Sequence, residues 1–477
     1  MNVEGEIDPR EVSYSPLSLV DQNGRVFFWR GRVLRAVPAA AAELMRARFA
    51  SGVVDQCVSR GLMPGARLTQ LRLPGAALVV EHERIPVVTY PYEWSYGMLR
   101  AAAAAVLEIN EIANAAGWEL ADCHAFNVLF DGAQPKFVDL GSLMPRRLGD
   151  RGWIAIEEFV QIYDYALRLW QPGAGYFGRR MLAAADLVPH ADYFACRHPW
   201  LARFGAADLA GRARKFWYLW RRLSGARPED IRFRLSPGRA ALALWLQRQP
   251  WLPFQTVPCA AWRRRVLARE RRRPRTMWGG YQDAFAQPTP RFRRILEIVR
   301  ELQPATVLEL AGNQGWLAAR LGALPGVERV TCTDAEETAV DAAHALAQKA
   351  APRLNTAVLD FIFPLATSFG TGPVERLRSE VVLALAVTHH VLLTQHVPVD
   401  RMLASIGAYA EKFVLIEFMP LGLWDGRRAP PFPEWYSREW FRESFSRHFV
   451  LRHEEQVEEN RILFVGAVRS GRTTSGG

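Results

Sequence analysis

The sequence predicts an α/β protein, with a parallel sheet in its C-terminal part behind an α+β N-terminal half. Three observations carry that expectation. Beyond residue 286, short β-rich apolar runs alternate with helical stretches, the pattern of strand–helix–strand units. Before it, β-prone runs punctuated by turn pairs stand among alanine-rich and amphipathic helical segments. At 477 residues the chain exceeds what one compact core usually holds, so two domains are expected. The Pro-rich stretch Gln249–Pro258 and an arginine run place the boundary. The expected parts are residues 1–255, an Arg-rich linker and entry segment over 256–285, the sheet domain 286–469, and a small polar, disordered tail at 470–477.

In chain order, Asn23-Gly24 and Arg30-Gly31 bracket the runs Val26–Trp29 and Val33–Val37, which reads as a hairpin. Leu99–Ala116 is alanine-rich and ends at Gly117, a helix with a glycine stop. Asn127–Phe130, Asp131-Gly132 and Lys136–Leu140 read as a second hairpin, and Trp153–Trp170 and Ala206–Leu223 as amphipathic helices. Strands are predicted at Thr306–Leu310, Arg329–Thr333, Thr356–Leu359, Val381–Val387, Phe413–Glu417 and Ile462–Val468. Trp316–Leu324 and Ala335–Lys349 are the intervening helices. The polar, aromatic stretch Trp424–Phe449 reads as a cap before an antiparallel finish.

Composition is ordinary for a folded protein, with 49% hydrophobic and 23% charged residues. No apolar stretch reaches the roughly 18 residues of a membrane span, so no membrane partner is expected. Met1–Glu11 is acidic and lacks a basic-then-apolar leader, and the five cysteines are scattered singly, so a reducing cytoplasm is the expected setting and no metal site is expected. The net charge of +11 raises the question of nucleic acid. Residues 1–285 carry 39 basic and 27 acidic side chains, the remainder 21 and 22, and Trp262–Arg275 alone holds eight arginines against one glutamate. The charge is a local run, read as a solvated helix or linker rather than a nucleic-acid face. Binding of phosphate or an acidic partner is the alternative.

The sharpest chemical signal is Thr306-Val-Leu-Glu-Leu-Ala-Gly-Asn-Gln-Gly315. A buried strand ends at Glu309, and the small residues Ala311, Gly312 and Gly315, with Asn313, turn the chain into a helix. Small residues let a ligand approach the backbone. Asp334, at the end of the next strand, is spaced to accept two ribose hydroxyls, though it would equally cap the helix after it. Asp360 ends the third strand, where it would face adenine with Phe361 stacking on the ring.

At these residues the chain resembles the class I S-adenosylmethionine-dependent methyltransferases, over roughly 303–468. That family has a strand, an acid and Gly-x-Gly-x-Gly; here Glu309-Leu-Ala311-Gly-Asn313-Gln-Gly315 keeps only the last glycine in place. The strict dinucleotide signature Gly-x-Gly-x-x-Gly is absent, against a nicotinamide enzyme. Val381–His390 looks like the family's fourth strand, whose end faces the methyl donor. The whole chain looks like a two-part group of methyltransferases related to a nodulation protein, on Tyr90-Pro-Tyr-Glu-Trp94, Asp122–Asn127, Trp278–Tyr281, His389-His390 and Ile416-Glu-Phe-Met-Pro420. The resemblance implies a Rossmann-like sheet, S-adenosyl-L-methionine as cofactor, and a glycan or other small metabolite as acceptor. It also implies that the entry segment, with Tyr281, folds over the donor.

His389 and His390 follow a buried strand at the edge where α/β sheets bind ligands, and histidine accepts a proton near neutral pH. Transfer to oxygen or nitrogen needs such a base when the acceptor is protonated. Glu417 is a second base, and Trp424, Trp435 and Tyr436 are placed to wall the acceptor. The plain alternative for all of them is packing at the sheet edge.

The N-terminal half contains Asp122-Cys-His-Ala-Phe-Asn127, a hairpin, then Val138-Asp-Leu-Gly141. That order resembles the protein-kinase catalytic loop, over about residues 20–145. The resemblance implies a kinase-like domain in which Asp122 accepts a hydroxyl proton while Asn127 and Asp139 hold a magnesium–nucleotide. Against phosphoryl transfer, residues 1–135 contain no lysine and no Gly-x-Gly-x-x-Gly loop. The combined expectation is a methyltransferase behind a kinase-like half that binds without phosphorylating. The alternatives are a bifunctional kinase–methyltransferase and a basic adaptor for nucleic acid or an acidic partner.

Overall fold

A computed structural model describes residues 5–18, 22–146, 153–183, 186–224, 231–232, 235–247, 258–271, 282, 288–365, 370–424, 426–428 and 430–469. These cluster into two units: one drawn from residues 1–86, 90–92 and 98–272, the other from 87–89, 93–97 and 273–477. Among the described residues, no helix is long and apolar enough to cross a membrane.

The first unit is α+β. Its five-stranded sheet comprises β1 (Ser13–Tyr14), β2 (Arg25–Trp29), β3 (Arg32–Val37), β4 (Ala66–Leu68) and β5 (Leu78–His82), in the order β1-β2-β3-β5-β4. Alternation along β2 sends Phe27 and Trp29 inward to Leu34 and Val79 and leaves Phe28 outside. The β2–β3 hairpin closes through Arg30 at φ 49° and Gly31 at φ 76°, the backbone sense that matches strand twist. Further on come β6 (Trp118–Leu120), β7 (Val128–Asp131), β8 (Gln134–Phe137) and β9 (Leu143–Pro145), with β6 paired to β9 and β7 to β8. The predicted helix 99–116 spans Tyr96–Ala115 and stops before Gly117, at φ 79°.

Of the expected solvated helix or linker, the arginine run forms a helix where it is described, with Arg264 and Arg265 exposed but other arginines engaged. Helix Cys259–Leu267 buries Trp262 and Val266, and Arg263 pairs with Glu108 and Glu111 at 3.0 Å each. Arg269 pairs with buried Asp164 and Arg271 lies over the Trp170 ring. Acidic side chains of the same unit therefore consume charge that sequence alone left facing outward.

The second unit is a seven-stranded sheet: β10 (Thr306–Leu310), β11 (Arg329–Asp334), β12 (Leu354–Val358), β13 (Ser379–Ala384), β14 (Ala410–Phe418), β15 (Phe449–Glu458) and β16 (Arg461–Val468). The order is β12-β11-β10-β13-β14-β16-β15. Strands β10 to β14 are parallel; β16 is antiparallel to β14, and β15 to β16. Helices cover the parallel strands on both faces, so they read as near-continuous apolar runs, and every residue of β12 is buried. The order reverses between β10 and β13, which opens a crevice at their carboxyl ends. Edge strand β15, missing from the predicted set, carries Arg452, His453, Glu454, Glu455 and Glu458 beyond its apolar start, charges that guard an edge.

Residues 93–97 enter this unit through a buried ion pair. Glu93 and Arg376 side chains are 4% and 3% exposed, and the guanidinium binds both carboxylate oxygens. Trp94 is buried beside them and donates to Thr89 at 3.2 Å. Deleting one partner strands a buried charge, so Arg376→Met should lower unfolding free energy by about 3 kcal/mol or more. Urea denaturation checks this. The double variant Glu93→Leu/Arg376→Met should regain much of the loss, and a loss below about 1 kcal/mol in the single variant would refute the pair's role.

Candidate active site

The turn after β10 is built from left-handed residues: Ala311 and Asn313 each at φ 53° and Gly315 at φ 73°. Gly312 donates its N–H to the Thr333 carbonyl at 2.9 Å, which draws the turn onto β11. A Cβ on Gly312 would lie 2.7 Å from Cys332 Sγ and 2.9 Å from Glu309 Cδ. One on Gly315 would lie 3.1 Å from Ala343 Cβ. Glycine is required at 312 by the protein's own packing, and at 315 by packing and backbone angle together.

Two carboxyls border this turn, Glu309 and Asp334, and a third, Asp360, follows β12, two strands from β10. Glu309, at the end of β10, is buried, and its Oε2 has no hydrogen-bond partner among the described residues. Burial pushes its carboxyl up to about 8, against the Ala318 N–H and the charge of Arg291, while Asp334 and Glu417 add to the rise. Asp334 accepts from Asn313 N–H at 2.9 Å and from Glu336 N–H at 2.8 Å. Burial raises it to about 6 despite those bonds. It is not the helix cap: the following helix is Glu337–Ala350, and its N-cap is Glu336. Asp360 is exposed and accepts from the Ile362 and Phe363 N–H groups, bracing a turn.

At the ends of β13 and β14 the outcome is divided. His389 is 8% exposed, and its Nδ1 has no partner among the described residues. Burial, with His390 and Arg461 nearby, lowers its pKa to about 3, so the ring is neutral at physiological pH. His390 packs against it with centroids 4.0 Å apart. Glu417 does not act as the expected base. Arg291 grips both its oxygens at 2.5 and 2.7 Å, and Arg461 adds a contact at 3.3 Å. Burial alone would raise this carboxyl; the two arginines hold it below the usual range. Thr388 donates to the Glu417 carbonyl at 2.7 Å and ties the two strand ends together.

Other expected contacts move. Phe361 is buried in the core of the second unit and cannot stack on a ligand; Phe363, two residues on, is 61% exposed with Arg401 over its ring. Tyr436 is buried and donates to the Met419 carbonyl at 3.2 Å, whereas Trp435 is exposed. Tyr281 lies outside the described residues. Its neighbour Gln282, unremarked in sequence, braces the turn: its backbone N–H donates to Gln314 Oε1, its side-chain Nε2 donates to the Gly312 carbonyl, and its side-chain Oε1 accepts from Trp316 N–H. Arg291 and Arg461 were missed too, because ion pairs 126 and 44 residues apart leave no local pattern.

In the first unit, Asp139 is already neutralised. Arg35, on β3 and 3% exposed, donates to its Oδ1 at 3.1 Å. The Gly141 N–H donates to the same oxygen and the Ser142 hydroxyl to the other. Asp122 is exposed and accepts from His124 N–H at 2.7 Å. Asn127 stands at the start of β7, its N–H bonded to the His124 carbonyl. Burial, then the charge of Asp122, raises Glu158 to about 7. Among the described residues no group of three or more His, Cys, Asp or Glu side chains converges as metal ligands.

No family model matches the chain. It is 27% identical over 440 residues to nodulation protein NoeA of Rhizobium meliloti (strain 1021), covering 84% of each. Among solved structures it is similar to a protein of Nostoc punctiforme PCC 73102 described provisionally as an O-methyltransferase, at 16% identity and TM-score 0.30. That match covers 40% of this chain and 59% of the other, under two thirds of its length. It is also similar to the N-methyltransferase NodS of Bradyrhizobium japonicum WM9, at 13% identity and TM-score 0.27, over 38% and 97% of the chains. A third, the N-terminal domain of EvdMO1 crystallised with SAH and D-fucose, is 16% identical at TM-score 0.28, over 39% and 84%.

Ala311 carries a Cβ in a conformation that costs an L-residue about 1 kcal/mol relative to glycine. Ala311→Gly should therefore raise the unfolding free energy by roughly that amount, less the added freedom of the unfolded chain. The methyl also packs against the core of the second unit, so chemical denaturation weighs relief of strain against lost packing, and destabilisation would mean that the packing outweighs the strain.

Proposed function

We propose that this chain transfers a methyl group from S-adenosylmethionine to an oxygen or nitrogen of a small-molecule or glycan-type acceptor. The observation that carries this reading is Glu309 Oε2: a buried carboxyl oxygen without a partner among the described residues, beside a turn folded tightly onto β10 and β11. A buried polar atom left open in this way is best satisfied by a ligand donor such as an ammonium group. Asp334 would hold ribose hydroxyls with the lone pairs its two backbone donors leave over, and Asp360 lies one strand further on. The donor supplies an electrophilic methyl on a sulfonium. His389, neutral and buried with an open Nδ1 among the described residues, is assigned to accept a hydrogen bond from the acceptor's nucleophilic group and orient it rather than to hold its proton, and the rest of the work is alignment. The 27% identity to the nodulation relative extends over 440 residues and so runs through both halves of the chain.

The carboxyls and the histidine set three expected outcomes. S-adenosylhomocysteine should bind with measurable heat in calorimetry, and Asp334→Ala or Gly315→Val should abolish it. If binding requires ionised Glu309, affinity should fall about tenfold per pH unit below 8. Glu309→Gln should remove that slope. His389→Ala should lower kcat with little change in donor affinity. No heat with the wild-type protein would end the donor assignment.

For the first unit, the reading is a domain that does not transfer phosphate. A guanidinium sits where a magnesium-holding carboxylate would need open oxygens, so the residues present do not fit the metal. The expected result is no phosphate delivered from labelled ATP to any acceptor fraction. Transfer abolished by Asp122→Ala would replace this reading with the bifunctional one.

A further inference from the structure

Helix Ala207–Ser224 has a fixed inner side. Gly211 backs so closely onto helix His190–Arg197 that a Cβ there would meet the Ala191 backbone nitrogen at 2.7 Å. Tyr218, one face-repeat on, is buried and stacks with His190 at 5.6 Å. Those contacts decide which side points out.

The outer side is wrong for water. Leu209 and Phe216, seven residues apart and so on one line of the helix, are 70% and 65% exposed. Trp217 and Leu219 flank them, at 47% and 44%. Arg212 and Lys215 stand exposed among these apolar groups. Arg212 also pairs with Asp208 at 2.8 Å, but both side chains are mostly in solvent and the pair is readily exchanged. Residues 176–224 as a whole carry nine basic and three acidic side chains. A surface helix normally turns polar residues outward; large apolar side chains interleaved with cations are the composition of a helix that lies in a lipid interface.

We propose that this face rests on the surface of a bilayer that carries anionic headgroups. Phe216 and the two leucines enter the headgroup–acyl boundary, while Arg212 and Lys215 reach lipid phosphates along their aliphatic stems. The aliphatic share favours lipid over nucleic acid, where stacking requires planar rings. Such attachment would bring the protein to acceptors held at a membrane.

The test uses the full chain with phosphatidylcholine vesicles, with and without phosphatidylglycerol. Co-sedimentation is expected with the anionic vesicles, weakened by salt. Leu209→Ser/Phe216→Ser should weaken it about tenfold or more, with an unchanged thermal midpoint. Arg212→Glu/Lys215→Glu should remove the preference for anionic lipid. Four results would overturn the proposal. One is no co-sedimentation with anionic vesicles. A second is a lowered thermal midpoint in the serine variant, which would mean that the chain itself covers the face. A third is a wild-type dimer that the serine variant dissociates, which would make the occupant a second copy. The fourth is duplex DNA that binds more tightly than the vesicles and displaces them.

Discussion

The second unit turns on the buried contact between Arg291 and Glu417. It joins the helix Pro290–Leu302 to the end of β14, and the neighbouring Phe292 ring meets Trp316 at 5.1 Å, where the helix after the glycine turn begins. A buried carboxylate costs several kcal/mol to desolvate, and two-point contact with a guanidinium is the geometry that offsets it. The same guanidinium sets two carboxyls apart. Glu417, in direct contact with it and with Arg461, is held ionised below its ordinary range; Glu309 feels only its charge and is raised to about 8. One residue is thereby made structural and the other left open to a ligand.

That difference has a cost in stability. A carboxyl whose pKa is higher folded than unfolded stabilises the fold at low pH, and the benefit is lost as pH rises through the folded value. For Glu309 the window runs from the ordinary 4.5 to about 8, and for Asp334 from 3.8 to about 6. Near neutrality both acids work against folding. Ala311 and Asn313 add backbone strain at the same place. Strain and unfavourable burial gathered at one strand end are what a binding site looks like before its ligand satisfies it.

Much of the second unit was legible because its parallel strands are buried on both faces, so Val-Leu-Ala runs such as Val381–Leu385 announce themselves. The glycine turn was legible for the same local reason. Strand β15 was not, since an edge strand that carries Arg452, His453, Glu454 and Glu455 has no apolar face to read. Phe361 was read as a ligand contact on its position beyond a strand end, yet the turn braced by Asp360 sends it into the core and Phe363 outward. Glu417 looked like a base because the arginines that occupy it lie far away in sequence. At Glu417, what escaped the sequence was long-range pairing of charge.

The same lesson applies to the first unit. Asp122, Asn127 and Asp139 stand in a spacing that implies a metal–nucleotide site, and the absence of lysine from residues 1–135 left the counter-charge unidentified. The counter-charge is Arg35, brought by β3 from 104 residues away. A metal ion binds and leaves; a guanidinium on a buried strand does neither. It holds Asp139 in place, and the Gly141 and Ser142 donors complete the carboxylate's shell from its own turn. The motif has thus become self-contained, a capped turn next to Arg48, which donates to the Gly141 and Leu143 carbonyls. Spacing that in another chain would serve phosphoryl transfer here serves the packing of β3 against that turn.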